Sequence, residues 1–419
     1  MKNFLPNSKI ASGIPVKAAH SDQLQFSVYD STAVLETESW RQFEKDVPVF
    51  LSSDYLKVEN EALSDRLEHR FVVFERGEKV IGIAAFHLIT VQTKEAVERL
   101  RQRFGVLEKA VTALSGGGKS FDFRLLICGS PFTTGELGFY FSMNIERELQ
   151  SKALLAATDF LRQLEKKNIS AVLLKDFYSP KSPEKFDLEK DGFTPFCVEP
   201  NMMMPVFPEW KSLKDYLNAL RSKYRTKANA AFKKSETLEV KKMNTSDIKN
   251  YHDRIEELYQ QVISRASFGI GYYNFEMFQS LLENLPDRYR IYGYFFEDKL
   301  IAFQSLWLHR DELEAHFVGI DYEYNFELAV YQRMLYEYIR EAINERKSKV
   351  IFGRSAMEIK NTVGAVPVNA SCYIRHKGAA LNPFLSFIFK HVSPSDFHEH
   401  RAFLKSEADR IEPALKPYL

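Results

Sequence analysis

The chain passes twice through the same order of hydrophobic patterns, and that order limits what it can fold into. In the second pass LEVKKM (238–243) has strand character, helical patterns follow at 245–264 and 274–284, and RYRIYGYFFEDKLIAFQSLWL (288–308) reads as strand, acidic turn, strand. ELEAHFVGID (312–321) is a third strand. ELAVYQRMLYEYIREAINERK (327–347) is a long helix whose inner face carries Leu328, Tyr331, Leu335, Tyr338, Ile339 and Ala342. KVIFG (349–353) is a strand, followed by a short helix at 356–362 and VPVNASCYIRH (366–376).

The first pass runs the same way. LQFSVYD (24–30) is a strand, 37–66 is helical, and HRFVVFERGEKVIGIAAFHL (69–88) is a hairpin. FDFRLLICGS (121–130) is a strand, ERELQSKALLAATDFLRQLEKKN (146–168) an amphipathic helix, and ISAVLLKDF (169–177) a buried-type strand. A short helix near 182–190 and a strand into NMMMPVF (201–207) close it. No residues repeat, only the order of elements. Its period of about 200 residues lies far beyond solenoid spacing.

This order predicts an α/β protein with mixed α+β sheets, antiparallel at first and parallel around each long helix. At 419 residues the chain exceeds one ordinary core, so two domains are expected. The boundaries read as a flexible arm at 1–25, a first domain at 26–207 with an insertion at 91–120, a second domain at 208–392, and a tail helix at 393–419. SGGGKS in the insertion lacks the spacing of a phosphate-binding loop and reads as a flexible tip.

The net charge of +1 argues against a general nucleic-acid binder, and 14% aromatic residues exclude long disorder. Cys128, Cys197 and Cys372 stand far apart with no CxxC, which suits a reducing compartment. The ten histidines are scattered with none at ligand spacing to a cysteine, so no metal is expected. The first 22 residues hold no apolar run of signal length, and no uninterrupted apolar stretch of about 18 residues occurs. The chain is therefore expected to be cytoplasmic, without a membrane span.

Three stretches carry a resemblance. They are GFTPFCVEPNMMMPV followed by SLKDYLNALRSKYRTKANAAFKK, then HFVGIDYEYNFELAVYQRMLYEYIREAI, then FGRSAMEIKNTVGA, together most of 192–376. They resemble the GNAT acyltransferase fold. The whole chain resembles two tandem GNAT-like domains, as in the Fem-type peptidoglycan aminoacyltransferases and their peptidoglycan-biosynthesis-like relatives. The first half matches by element order alone and is expected to serve as a degenerate scaffold. The resemblance implies transfer of an acyl group from an acyl-CoA or similar donor to a small amine or a peptidoglycan-precursor amine, across a cleft shared by the halves. An aminoacyl-tRNA donor is the alternative, less favoured by the charge, and a non-catalytic GNAT-like binding protein is the other. The glycine loop with which ordinary GNAT enzymes hold the CoA pyrophosphate is missing. The matching segment DYEYNFELAVYQ (321–332) has no glycine and is acidic.

Within that frame, Leu213, Leu217, Leu220, Tyr224, Ala228 and Phe232 mark one helix face, and no acid interrupts the cations between Arg221 and Lys234. Lys223 and Arg225 match a Lys-x-Arg shared by Fem-like proteins and are expected to hold a phosphate-bearing ligand; the same stripe also suits a solvated helix face. Glu312, Glu314 and His316 fall on one strand face by alternation, and Glu314 or His316 is the expected base. Asp321 is expected to cap the long helix. Arg265, Tyr272 and Tyr273 in SRASFGIGYYNF are expected to line the acceptor site. Arg354 and Lys360 in FGRSAMEIK are expected to anchor substrate, beside a capping box of Ser355 and Glu358. No Ser or Cys sits in a nucleophile motif, so direct attack of the amine is expected.

Overall fold

The computed structural model describes residues 15–21, 24–92, 122–165, 169–178, 188–197, 199–265, 271–378, 382 and 398–419. The expected insertion lies outside the described residues beyond Gln92, as does most of the short helix expected near 182–190. The chain divides into two compact units, each built on one mixed sheet.

The first sheet runs β1-β2-β3-β4-β5-β7-β16-β8, with β6 (Phe139–Phe141) paired to β4. Its strands are β1 (Val16–Ser21), β2 (Leu24–Tyr29), β3 (Leu67–Arg76), β4 (Lys79–Gln92), β5 (Asp122–Cys128), β7 (Ala171–Tyr178), β8 (Thr194–Cys197) and β16 (Ala370–His376). The arm expected at 1–25 is thus strand from Val16 onward, paired antiparallel with β2. Helices α1 (Glu38–Arg41), α2 (Ser53–Ala62) and α3 (Arg147–Leu164) accompany this sheet. Ala153, Leu154, Ala157 and Leu161 of α3 pack with Phe26, Val72, Leu126 and Val172; of the leucines whose spacing marks the helix as amphipathic, Leu154 and Leu161 are buried there and Leu149, Leu155 and Leu164 partly so. β5 and β7 flank α3 and run parallel.

The second sheet runs β10-β11-β12-β13-β14-β9-β15. Its strands are β9 (Asn201–Pro205), β10 (Glu239–Met243), β11 (Tyr289–Phe296), β12 (Lys299–His309), β13 (Glu312–Ile320), β14 (Lys349–Gly353) and β15 (Val366–Val368). β11 and β12 join through Glu297 and Asp298, both at positive φ, as a two-residue hairpin with the native twist requires. The helices are α4 (Leu213–Ala219), α5 (Ser222–Lys234), α6 (Thr245–Asn250), α7 (His252–Ile263), α8 (Phe275–Asn284), α9 (Tyr322–Asn325), α10 (Val330–Asn344), α11 (Met357–Thr362) and α12 (Lys405–Leu415). Leu335, Ile339 and Ala342 of α10 pack on Leu313 of β13, Val350 of β14 and Met202 and Met204 of β9.

Each sheet is completed by a strand from the far part of the sequence. β16 inserts between β7 and β8, and β9 inserts between β14 and β15. The division at 207–208 and the end of the second domain at 392 are corrected accordingly. β9 belongs to the second unit and β16 to the first. A one-strand exchange leaves hydrophobic periodicity unchanged, so the pattern alone gives no sign of it.

Candidate functional site

β13 and β14 are parallel neighbours for three residues only, Glu312–Lys349, Leu313–Val350 and Glu314–Ile351. Beyond Glu314 the ladder partner of β13 is β12 alone, so the two parallel strands splay. Beyond the splay no strand among the described residues pairs with that edge of β13, and a strand edge suits a ligand bearing amides of its own.

At the start of the splay β13 bulges. Gln304 of β12 pairs with Val318 and Leu306 with Ala315, so Ser305 faces both His316 and Phe317. Leu313 and Ala315 before the bulge, and Val318 and Ile320 after it, pack in the apolar clusters that α10 shares. His316 and Phe317 therefore both face the opposite side. Phe317 meets Tyr259 of α7 and Phe278 of α8. Alternation holds for Glu312, Glu314 and His316 and fails one residue later.

The His316 ring lies 4.2 Å from Phe317, 5.0 Å from Tyr273, 5.9 Å from Tyr289 and 6.1 Å from Trp307 between ring centres. Burial among these rings disfavours the charged form and pulls its pKa to about 3. The Ser305 hydroxyl donates to the Phe317 carbonyl and accepts the Phe317 N–H, and His316 Nδ1 lies 3.3 Å from it. A hydroxyl has one proton to give. With that proton on Phe317, His316 donates from Nδ1, and Nε2 is the ring's acceptor.

Residues 218–361 match the family model described as Acetyltransferase (GNAT) domain. That stretch is similar to GNAT acetyltransferase domains. The fold resembles the crystal structure of FemX with a TM-score of 0.52 at 11% identity, covering 88% of this chain and 100% of that one. It is also similar to a tandem GNAT protein from the clavulanic acid biosynthesis pathway (TM-score 0.48, 11% identity, 85% of this chain and 99% of that one). A third is the structure of L-PGS from Bacillus licheniformis (TM-score 0.43, 10% identity, 83% and 98%). Among curated proteins no sequence matches this one.

The helix face expected from Leu213 to Phe232 falls on two helices, not one. Leu220 and Arg221 are extended between α4 and α5, where Leu220 bridges Phe403 and the Arg221 N–H donates to the Ala402 carbonyl. α5 buries Tyr224, Ala228 and Ala231. Lys223 is exposed and Arg225 half-buried, and the Lys223 and Lys227 ammonium groups stand 5.6 and 5.9 Å from the Tyr224 ring centre.

Asp321 caps the short α9 rather than the long helix, accepting the Glu323 N–H, and pairs with Arg254. Burial would raise its pKa, but the Arg254 hydrogen bond and the Glu323 N–H hold it below the usual carboxylate value. The long helix follows Ala329, which has a left-handed backbone and gives no side-chain cap. The Asn325 side chain takes the Tyr331 N–H at 3.0 Å.

Arg354 donates from Nε to the Glu199 carbonyl at 2.7 Å. Lys360 is corrected from a substrate anchor to a structural cation. It is 4% exposed, and its ammonium donates to the carbonyls of Arg354 at 2.7 Å and Gly353 at 3.3 Å. It thereby holds a turn in which Gly353, Ser355 and Ala356 all have positive φ. The capping box is absent as well: α11 begins after Ala356, with no side-chain cap, and Glu358 pairs with His400.

Arg265 stacks on Tyr322 at 3.9 Å, and the Tyr273 N–H donates to the Tyr259 hydroxyl. Tyr272 groups with the first unit. Within the second unit the structure thus gathers Glu314, His316 and Tyr273 around β13. What the sequence reading missed is Ser305, whose clamp on the bulge leaves no signature in a hydrophobic strand.

Proposed function

We propose that the chain is an N-acyltransferase whose reaction runs at the splay of β13 and β14. The observation that carries this reading is the splay itself, opening beside a serine-clamped bulge. The donor is an acyl thioester on an amide-bearing arm, as in acyl-CoA. The arm adds to the free edge of β13 as a short extra strand. The acceptor is a small or cell-envelope-related amine. Its nitrogen lone pair attacks the thioester carbon, a C–N bond forms, the C–S bond breaks, and the thiolate leaves. Glu314 takes the ammonium proton, because His316 with a pKa of about 3 is too weak a base. His316 stays neutral and orients the reacting groups, Lys223 and Arg225 meet the donor phosphates, and Arg265, Tyr273 and Arg354 serve the acceptor. Incubating the protein with acyl-CoAs and an amine panel while following thiol release tests this. Turnover that depends on Glu314 supports it, and no release with any thioester overturns it.

One observation favours a second reading, an aminoacyl-tRNA donor. The segment before α10 is acidic and lacks glycine, and Asn325 already takes the Tyr331 N–H, so this helix start is poorly prepared for a pyrophosphate. That reading predicts salt-sensitive tRNA binding with no response to CoA.

A further inference from the structure

In the first unit three polar side chains meet inside the protein. Glu59 comes from α2, His69 from β3 and His87 from β4, and the side chains are 0%, 1% and 3% exposed. His69 and His87 are directly opposed in the β3–β4 ladder, which puts both imidazoles on one face of the hairpin beneath α2. Glu59 Oε2 lies 2.7 Å from His69 Nε2 and 2.9 Å from His87 Nε2, and one donor atom from each residue lies within 4.8 Å of the others.

We propose that Glu59, His69 and His87 form a closed site for a divalent first-row transition-metal ion, with zinc the best match. Neighbouring donors on a tetrahedral ion with bonds of about 2.1 Å stand roughly 3.4 Å apart, so the carboxylate oxygen, 2.7 and 2.9 Å from the two nitrogens, needs only a small outward shift to share an ion with them. Two imidazoles and one carboxylate are a donor set for zinc or iron-like ions.

The hydrogen bonds behind Glu59 and His69 fit. The Tyr55 hydroxyl donates to Glu59 Oε1 at 2.8 Å and leaves Oε2 to face the rings. His69 Nδ1 lies 3.1 Å from Asn60 Oδ1. A carbonyl oxygen only accepts, so Nδ1 carries the proton and a neutral ring turns the Nε2 lone pair onto the carboxylate. Two lone pairs at 2.7 Å repel, and a cation between them removes the conflict. Outer partners that set the tautomer and fix the carboxylate are what metal ligands need. Among the described residues His87 Nδ1 has no hydrogen-bond partner, a cost that an ion on Nε2 leaves in place. The competing arrangement reverses the Asn60 amide and lets both imidazoles donate to Oε2 without any ion.

The site is sealed, so the ion enters as the chain folds, and its role is to staple α2 to the β3–β4 hairpin. The test uses the full chain without a polyhistidine tag, refolded with Zn²⁺ or Co²⁺ and then dialysed against chelator. The proposal expects about one ion retained per chain, a cobalt spectrum showing nitrogen ligation, and a melting temperature above that of chain refolded metal-free. His87→Gln and His69→Gln should lose the ion, while His316→Gln keeps it. Retention below about a tenth of an ion per chain by wild type overturns the proposal. So does retention that survives the double variant His69→Gln/His87→Gln. If the histidine variants do not fold, the wild-type metal content and cobalt spectrum decide alone.

Discussion

Ser305 and Phe317 exchange two hydrogen bonds across the bulge in β13. The Phe317 N–H donates to the Ser305 hydroxyl at 3.0 Å, and that hydroxyl donates back to the Phe317 carbonyl at 3.1 Å. One side chain thus stands in for the ladder bonds that the bulge removes, and it fixes where the strand changes face.

Ser305→Ala should leave the Phe317 N–H and C=O without this partner, at a cost of about 1–3 kcal/mol. Urea unfolding measures it. A loss much smaller than this means that the bulge holds without the clamp.

Glu314→Gln should lower the rate of acyl transfer roughly 10²–10⁴-fold with melting temperature unchanged, because it removes the proton acceptor and keeps the shape. His316→Gln should leave the acid limb of the pH–rate profile in place, since His316 binds a proton only below about pH 3. An acid limb that disappears with His316→Gln would assign the base to the histidine.

Lys360 gives a stability prediction with a definite sign. Burial lowers its pKa from 10.5 to about 7, with the Glu199 charge opposing. Between these values the unfolded chain holds a proton that the folded chain lacks, so this group's contribution to stability rises with pH from about 7 to 10.5 and is lowest below 7. Relative to wild type, Lys360→Met should be most favourable at pH 6 and lose ground by pH 9. Thermal melts at both values check this, and a difference that does not change with pH would contradict it.

Gly319→Ala tests the packing of α7 on the sheet. A Cβ there would stand 2.2 Å from the Phe303 ring and 2.9 Å from Leu258 Cβ. The expected loss is about 1–3 kcal/mol by urea unfolding, and a neutral variant would mean that α7 packs less closely.

Lys223→Glu with Arg225→Ala should change unfolding free energy by no more than about 0.5 kcal/mol, since neither side chain is buried. It should weaken donor binding, most at low salt. Unchanged affinity would leave α5 as a solvated helix face.

The sequence showed the repeated α/β order because each long helix and each hairpin writes its own periodicity: Leu335, Ile339 and Ala342 are inside as spaced. It did not show which sheet takes β9 or β16, since an apolar strand such as NMMMP suits either. Glu314 and His316 were legible from alternation, whereas the bulge beside them was not, because it depends on how β12 and β13 register. Lys360 was misread because its spacing on the short helix says nothing of the two carbonyls that its ammonium reaches. Glu59, His69 and His87 went unnoticed because strand pairing and helix packing, rather than sequence spacing, bring them together.

The measurement closest to the central claim is amide hydrogen exchange of β13 with and without coenzyme A, the part common to every acyl-CoA. The account predicts binding, with exchange slowed at Ala315–Ile320 on the splayed edge. Binding that protects another segment, or no binding at all, would contradict it.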